Sequence, residues 1–113
     1  MALDRIIRWT PPARAPSTDD LATLAGNYTA GLATSIEWGG GRWYITLPGE
    51  AHSAIGRDFL HDPGQARWIE VWRSDGGEEV YVMTRHADEV TNAVAEGLAA
   101  LVARHWQGTR ETR

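Results

Sequence analysis

The sequence predicts an α+β domain of two layers, an antiparallel sheet of four to five strands from two β-hairpins with a short N-terminal helix and a long C-terminal amphipathic helix packed on it. Three observations carry this prediction. Residues 32–47 and 67–85 alternate apolar and polar side chains and are each broken by a glycine cluster, and residues 88–105 carry apolar residues at helical spacing after a capping aspartate. The 113 residues suit one domain spanning 1–113.

Residues 3–9 leave two readings open. In an extended chain Leu3, Ile7 and Trp9 share a face; in a helix Leu3, Ile6 and Ile7 do. Residues 1–16 are therefore an extended arm or an edge strand, with Pro11, Pro12 and Pro16 removing backbone donors from the connector. Ser17 follows as an N-cap, with Asp20 in the capping-box position and Asp19 favouring the positive end of the helix dipole. Leu21, Leu24, Ala25 and Tyr28 form the stripe of this first helix, which Gly31, or earlier Gly26, would stop.

In the first hairpin Leu32 to Trp38 and Arg42 to Leu47 flank three glycines. A Gly39-Gly40 turn sets Ile36 opposite Trp43 and Glu37 opposite Arg42; two or four loop residues keep the faces unmixed, whereas three would reverse every side chain. A glycine triplet can also cradle phosphate, but that use requires a following helix, and here a strand follows. The second hairpin pairs 67–73 with 78–85 around Asp75-Gly76, a type I′ signal. That turn places Arg73 opposite Glu78 and Val71 opposite Val80 on an aliphatic face. The other face is aromatic, with Trp72 opposite Glu79, Glu70 opposite Tyr81 and Trp68 opposite Met83.

Asp88 caps the long helix, with Arg104 and His105 complementing the dipole at its end. Val90, Ala93, Val94, Gly97, Leu98, Leu101 and His105 trace the expected buried stripe. Gly97 costs about 1 kcal/mol against alanine in a helix interior, so it is expected to face the sheet at a close approach. Gly108 ends the helix, and residues 109–113 are expected to form a frayed tail.

Composition excludes several chemistries. The chain has no cysteine and no lysine, so disulfides, thiolate nucleophiles, lysine Schiff bases and Walker-type phosphate loops are out. The net charge of −4 has the wrong sign for binding a nucleic-acid backbone. No apolar run approaches the roughly 20 residues of a membrane span, and the N-terminal residues lack a signal-peptide core, so the expected location is cytoplasmic. The arginine-only composition is read as a bias of the host.

The candidate ligand-binding surface is Trp68, Glu70, Trp72, Tyr81 and Met83. Aromatic rings around a carboxylate suit a cationic or amphipathic small ligand. The same residue types also suit ordinary core packing or a homodimer interface. A second region, residues 49–65, lacks a clear period and carries Glu50, His52, Ser53, Arg57, Asp58, His61 and Asp62, enough for acid-base chemistry or an oxygen-nitrogen metal site. It holds no metal-ligand or nucleophile motif, and a turn at Asp62-Pro63-Gly64 with Ile55 and Phe59 anchored in the core explains it more simply. His86 is best explained by a backbone hydrogen bond at an element boundary, and the acid pairs Asp19-Asp20 and Glu78-Glu79 by a helix start and a solvated turn.

These features point to a non-catalytic binding or interaction protein, a homodimer through the sheet, with no metal or cofactor and with a protein partner or small ligand on the aromatic face. A second reading is a partner-masking protein, secretion-chaperone-like or toxin-neutralising. In size, acidity and element order the chain is similar to the small type III secretion chaperones in gross properties, although it lacks a central helix between the hairpins. A third reading is a small hydrolase or metal-dependent enzyme using residues 49–65.

Overall fold

The computed structural model describes residues 2–32, 35–48, 67–85 and 87–113; the candidates in residues 49–65 and His86 lie outside them. The α+β architecture is as expected, but among the described residues the sheet has six strands, all antiparallel. The elements are β1 (Ala2–Arg8), α1 (Thr18–Tyr28), β2 (Ser35–Gly39), β3 (Arg42–Thr46), β4 (Trp68–Arg73), β5 (Glu79–Arg85), α2 (Glu89–His105) and β6 (Thr109–Thr112). Their spatial order is β2-β3-β4-β5-β1-β6. β1 is thus an interior strand and not an arm or an edge.

Both hairpins keep their predicted faces and shift their pairing by two residues. In the first, the turn is Gly40-Gly41, with φ of 60° and 81°, the positive values a type I′ turn requires. Ile36 then faces Ile45 and Trp38 faces Trp43, so Glu37 meets Tyr44 and not Arg42. In the second, Gly77 and not Gly76 takes the positive φ. Its N–H donates to the Ser74 carbonyl at 3.0 Å, and the Ser74 hydroxyl accepts from the Glu79 N–H at 3.1 Å. The serine side chain therefore stabilises a longer loop. Val71 pairs with Val82, Trp72 with Tyr81, and Arg73 with Val80 instead of Glu78.

Both helices cover one sheet face. Ile7, Ile45, Ile69, Val71, Val80 and Val82 form a single buried cluster with Leu21 and Ala25 of α1 and with Ala95, Leu98, Ala99 and Val102 of α2. Fully burying each larger aliphatic side chain contributes about 1.5–3 kcal/mol. Ser17 caps α1 through the Asp20 N–H at 3.1 Å, and Asp88 caps α2 through the Thr91 N–H at 2.8 Å, both as expected.

The buried stripe of α2 differs from the expected one. Thr91, Ala95, Leu98, Ala99 and Val102 are buried, whereas Val90, Ala93 and His105 are exposed. The helix contacts α1 as well as the sheet, so Thr91, Ala95 and Ala99 are buried along with Leu98 and Val102. Gly97 likewise faces α1 and not the sheet, because a Cβ there would collide with the Tyr28 hydroxyl.

The end of α2 is also more ordered than expected. Gln107 takes a positive φ of 58°, and the Gly108 N–H returns to the Ala103 carbonyl at 2.8 Å, the 6→1 bond of a Schellman motif. Residues 109–112 then run as β6 against β1, with Arg5 opposite Thr112 and Arg8 opposite Thr109. Pairing with β1 outweighs the low strand signal of Thr-Arg-Glu-Thr.

One buried charge holds the layers together. Arg5 lies on the helix-facing side of β1 at 2% exposure. Its Nε meets Glu96 Oε2 of α2 at 2.6 Å, and its terminal nitrogens donate to Thr84 Oγ1 at 3.2 Å and Asn92 Oδ1 at 3.1 Å. β1, β5 and α2 thereby share one hydrogen-bonded cluster.

Candidate functional site

The sheet face turned away from the helices carries all five residues singled out in the sequence. Strand alternation places Trp68, Glu70 and Trp72 of β4 there, with Tyr81 and Met83 of β5 beside them. The five divide by burial. Trp68, Glu70 and Met83 are 1%, 3% and 5% exposed within a single chain, and their neighbours Ile6 and Thr46 are buried as well. Trp72 and Tyr81, toward the β4–β5 turn, are half-buried. The chain itself thus covers the middle of this face and leaves the end near the turn accessible.

At the accessible end three side chains from three strands form one stack. The rings of Trp72 and Tyr81 lie 4.8 Å apart and within 8° of parallel. The guanidinium carbon of Arg42 stands 3.9 Å from the centre of the Trp72 ring. Arg42 thus supplies a cation–π contact of a kind contributing about 0.5–2 kcal/mol.

Glu70, Glu79 and Glu111 on this face are engaged by arginines. Glu70 Oε1 accepts from Arg42 Nη1 at 2.9 Å, and Glu70 Oε2 accepts from Arg85 Nε at 3.0 Å. The cation that the sequence assigned to a ligand is therefore present within the fold. The Tyr81 hydroxyl donates to Glu79 Oε1 at 2.8 Å, and Glu79 Oε2 accepts from Arg8 Nε at 2.7 Å. Arg8 also pairs with Glu111, which Arg113 reaches at 3.4 Å.

Two titrations follow from this network. The hydrogen bond from Arg8, and next that from Tyr81, lowers the Glu79 pKa below its ordinary 4.5. The bond to Glu79, reinforced by burial, raises the Tyr81 pKa above its ordinary 10.0. Both shifts favour an ionised acceptor and a protonated donor, a pair that orients groups rather than transferring protons at neutral pH.

Arg42, Arg85 and Arg8 join the surface without having been marked in the sequence, and Glu79, which the sequence put on this face in a solvated turn, joins it as the acceptor of Arg8 and Tyr81. For Arg42 the signal was incomplete: its parity with Tyr44 and Thr46 shows the face, but its place beside Trp72 depends on β3 pairing with β4 across a long connection. Among the described residues, no group of three or more His, Asp or Glu side chains gathers as a metal site would require. No helix among the described residues is long and apolar enough to cross a membrane.

Comparison with known proteins adds no relative. No protein-family model, curated protein or solved structure matches the chain significantly.

Proposed function

We propose that this is a non-catalytic interaction protein that associates as a homodimer through the accessible end of the aromatic sheet face. The observation that supports this reading is the Arg42–Trp72–Tyr81 stack. Tryptophan, tyrosine and arginine are the residue types in which binding hot spots are enriched. The stack is pre-ordered by the sheet and by Glu70, so little side-chain entropy remains to be lost on contact. The surrounding charges alternate, Arg42, Arg85 and Arg8 with Glu70 and Glu79, and a patch of both signs can complement a copy of itself across a two-fold axis.

Engagement of both Glu70 oxygens narrows the small-ligand version of this reading. A cationic ligand would have to displace an internal guanidinium, so a protein surface is the favoured partner. Sedimentation equilibrium over a concentration series tests the dimer, with a reversible dimer expected for the parent and at least about tenfold weaker association for Trp72→Ala, as removal of a hot-spot residue entails. A parent that remains monomeric throughout refutes the homodimer. Tryptophan fluorescence that responds to aromatic cations, and loses that response in Glu70→Gln, would favour a ligand instead.

A further inference from the structure

The two-residue shift in the second hairpin leaves Arg73 without the carboxylate its sequence position suggests. Val80 stands opposite it on the helix-facing side of the sheet. Among the described residues Arg73 has no hydrogen bond or ion pair, and its Nε is buried without a partner. A guanidinium carries five donors that are never deprotonated, so an unengaged one beside the core is costly unless something else meets it.

A second arginine converges on the same place. Arg14 leaves the proline-rich connector and donates from Nη2 to the Gly76 carbonyl at 3.3 Å, with no acid partner among the described residues. A Cβ at Gly77 would collide with Arg73 Nη2 and stand 3.1 Å from Arg14 Nη2. Two guanidinium groups without an acid partner among the described residues thus lie against Gly77, that of Arg73 in the place a side chain there would take.

The surrounding backbone is fixed. The Trp9 N–H donates to the Glu78 carbonyl at 2.9 Å, the Ala15 N–H donates to the Gly77 carbonyl at 2.9 Å, and the prolines at 11 and 12 limit the connector between them. Connector residues 11–14 and turn residues 76–78 line an open concavity of about 370 Å³, and Arg73 meets its wall at Gly77. This exceeds the volume of a bare ion.

We propose that Arg14 and Arg73, with the Gly76-Gly77 backbone, form a binding site for a tetrahedral dianion of the phosphate-monoester class. The planar forks of the two guanidinium groups match phosphate oxygens, and a dianion neutralises both charges. Glu78, which lines the concavity, and Asp75 are both exposed, so solvent and salt screen their repulsion of a dianion held between the two guanidinium groups. The site is separate from the aromatic face and does not depend on its role.

The test is titration of the ¹⁵N-labelled full chain with inorganic phosphate and, separately, glycerol phosphate at constant ionic strength, followed by backbone and arginine side-chain NMR. Expected are saturable shifts confined to residues 11–15 and 73–78, with the ester binding at least as tightly as the free ion. Arg73→Gln and Arg14→Gln each weaken binding by about tenfold or more, the loss expected for one charge-assisted contact. Arg14 is exposed, so its substitution keeps the test valid should Arg73→Gln not fold. Shifts that do not saturate, affinity unchanged in Arg14→Gln, or acetate binding as tightly as phosphate would each overturn the assignment.

Discussion

Trp9 donates its indole Nε1–H to the carbonyl oxygen of Trp106, 2.7 Å away, at the C-cap of α2. The residue that leaves β1 thereby satisfies a backbone acceptor that the helix cannot satisfy itself. Gly108 passes under the same indole, and a Cβ there would stand 2.8 Å from Trp9 Cε2 and collide with Ile7. Gly108→Ala is expected to destabilise the fold by about 1–3 kcal/mol through overpacking, and Trp9→Phe by a similar amount through the lost bond and the lost fill. Urea denaturation measures both, and a neutral Gly108→Ala contradicts the packing described.

Gly97 gives a sharper test because its cost has an identified neighbour. Alanine at this position gains about 1 kcal/mol of helix propensity. It also drives a Cβ into the Tyr28 hydroxyl. Gly97→Ala alone is therefore expected to destabilise, and Gly97→Ala combined with Tyr28→Phe to recover part or all of the loss. A double-mutant cycle in thermal denaturation reads the coupling, and strict additivity of the two changes would show that the residues do not meet.

The Arg5–Glu96 pair is asymmetric, with side-chain exposures of 2% and 43%. Removing Glu96 leaves a buried cation with only neutral partners, whereas removing Arg5 leaves a carboxylate that water can reach. Glu96→Ala is expected to cost about 3 kcal/mol and Arg5→Met less, because methionine fills the apolar part of the site. Equal losses in guanidinium denaturation would contradict this ordering.

Stability should fall in acid for reasons that can be assigned to residues. The Glu79 and Asp88 carboxyls lie below their ordinary values of 4.5 and 3.8 in the folded chain. For Asp88, burial pushes upward, but the Thr91 hydrogen bonds and Arg67 outweigh it. A lowered folded pKa contributes stability that is present above the ordinary value and lost as pH falls through the folded one. Tyr81→Phe is expected to raise the Glu79 titration toward 4.5, and Asp88→Ala to cost about 1 kcal/mol near neutrality through the lost cap. Carbon-detected NMR titration and denaturation at several pH values check these outcomes.

The opposite sign applies to Tyr81. Its raised pKa contributes stability present below its ordinary 10.0 and lost as pH rises through the folded value. Tyrosinate absorbance should therefore show Tyr81 ionising late in the parent and earlier in Glu79→Gln. A late step that survives Glu79→Gln unchanged would assign the shift to burial alone.

What could be read from the sequence was what strand parity and local caps determine. Ser17 and Asp88 announce their helices through hydrogen bonds to their own next turn, and the face of every hairpin residue follows from the period of two. Register did not follow, because a shift of two residues preserves both faces; only the φ of Gly77 and the Ser74 hydroxyl select the longer loop. Arg5 gave no signal at all, since a charge within an otherwise apolar face has its meaning only from Glu96, distant in sequence. The aromatic residues of the candidate surface were legible for the same reason as the hairpins. Their guanidinium partners were not, because Arg42 reaches Trp72 and Glu70 only once the two hairpins join.

The position of β1 has a consequence for how the chain reaches this fold. Asp4 and Arg113 exchange backbone hydrogen bonds at 2.9 and 2.8 Å, so the first strand is held between β5 and the last residues of the chain. During synthesis both hairpins can close as they emerge, while β1 waits for partners some eighty and a hundred residues downstream. Until it docks, the outer edge of β5 from Glu79 to Arg85 is an unpaired template next to exposed valines, the kind of edge on which nascent chains aggregate.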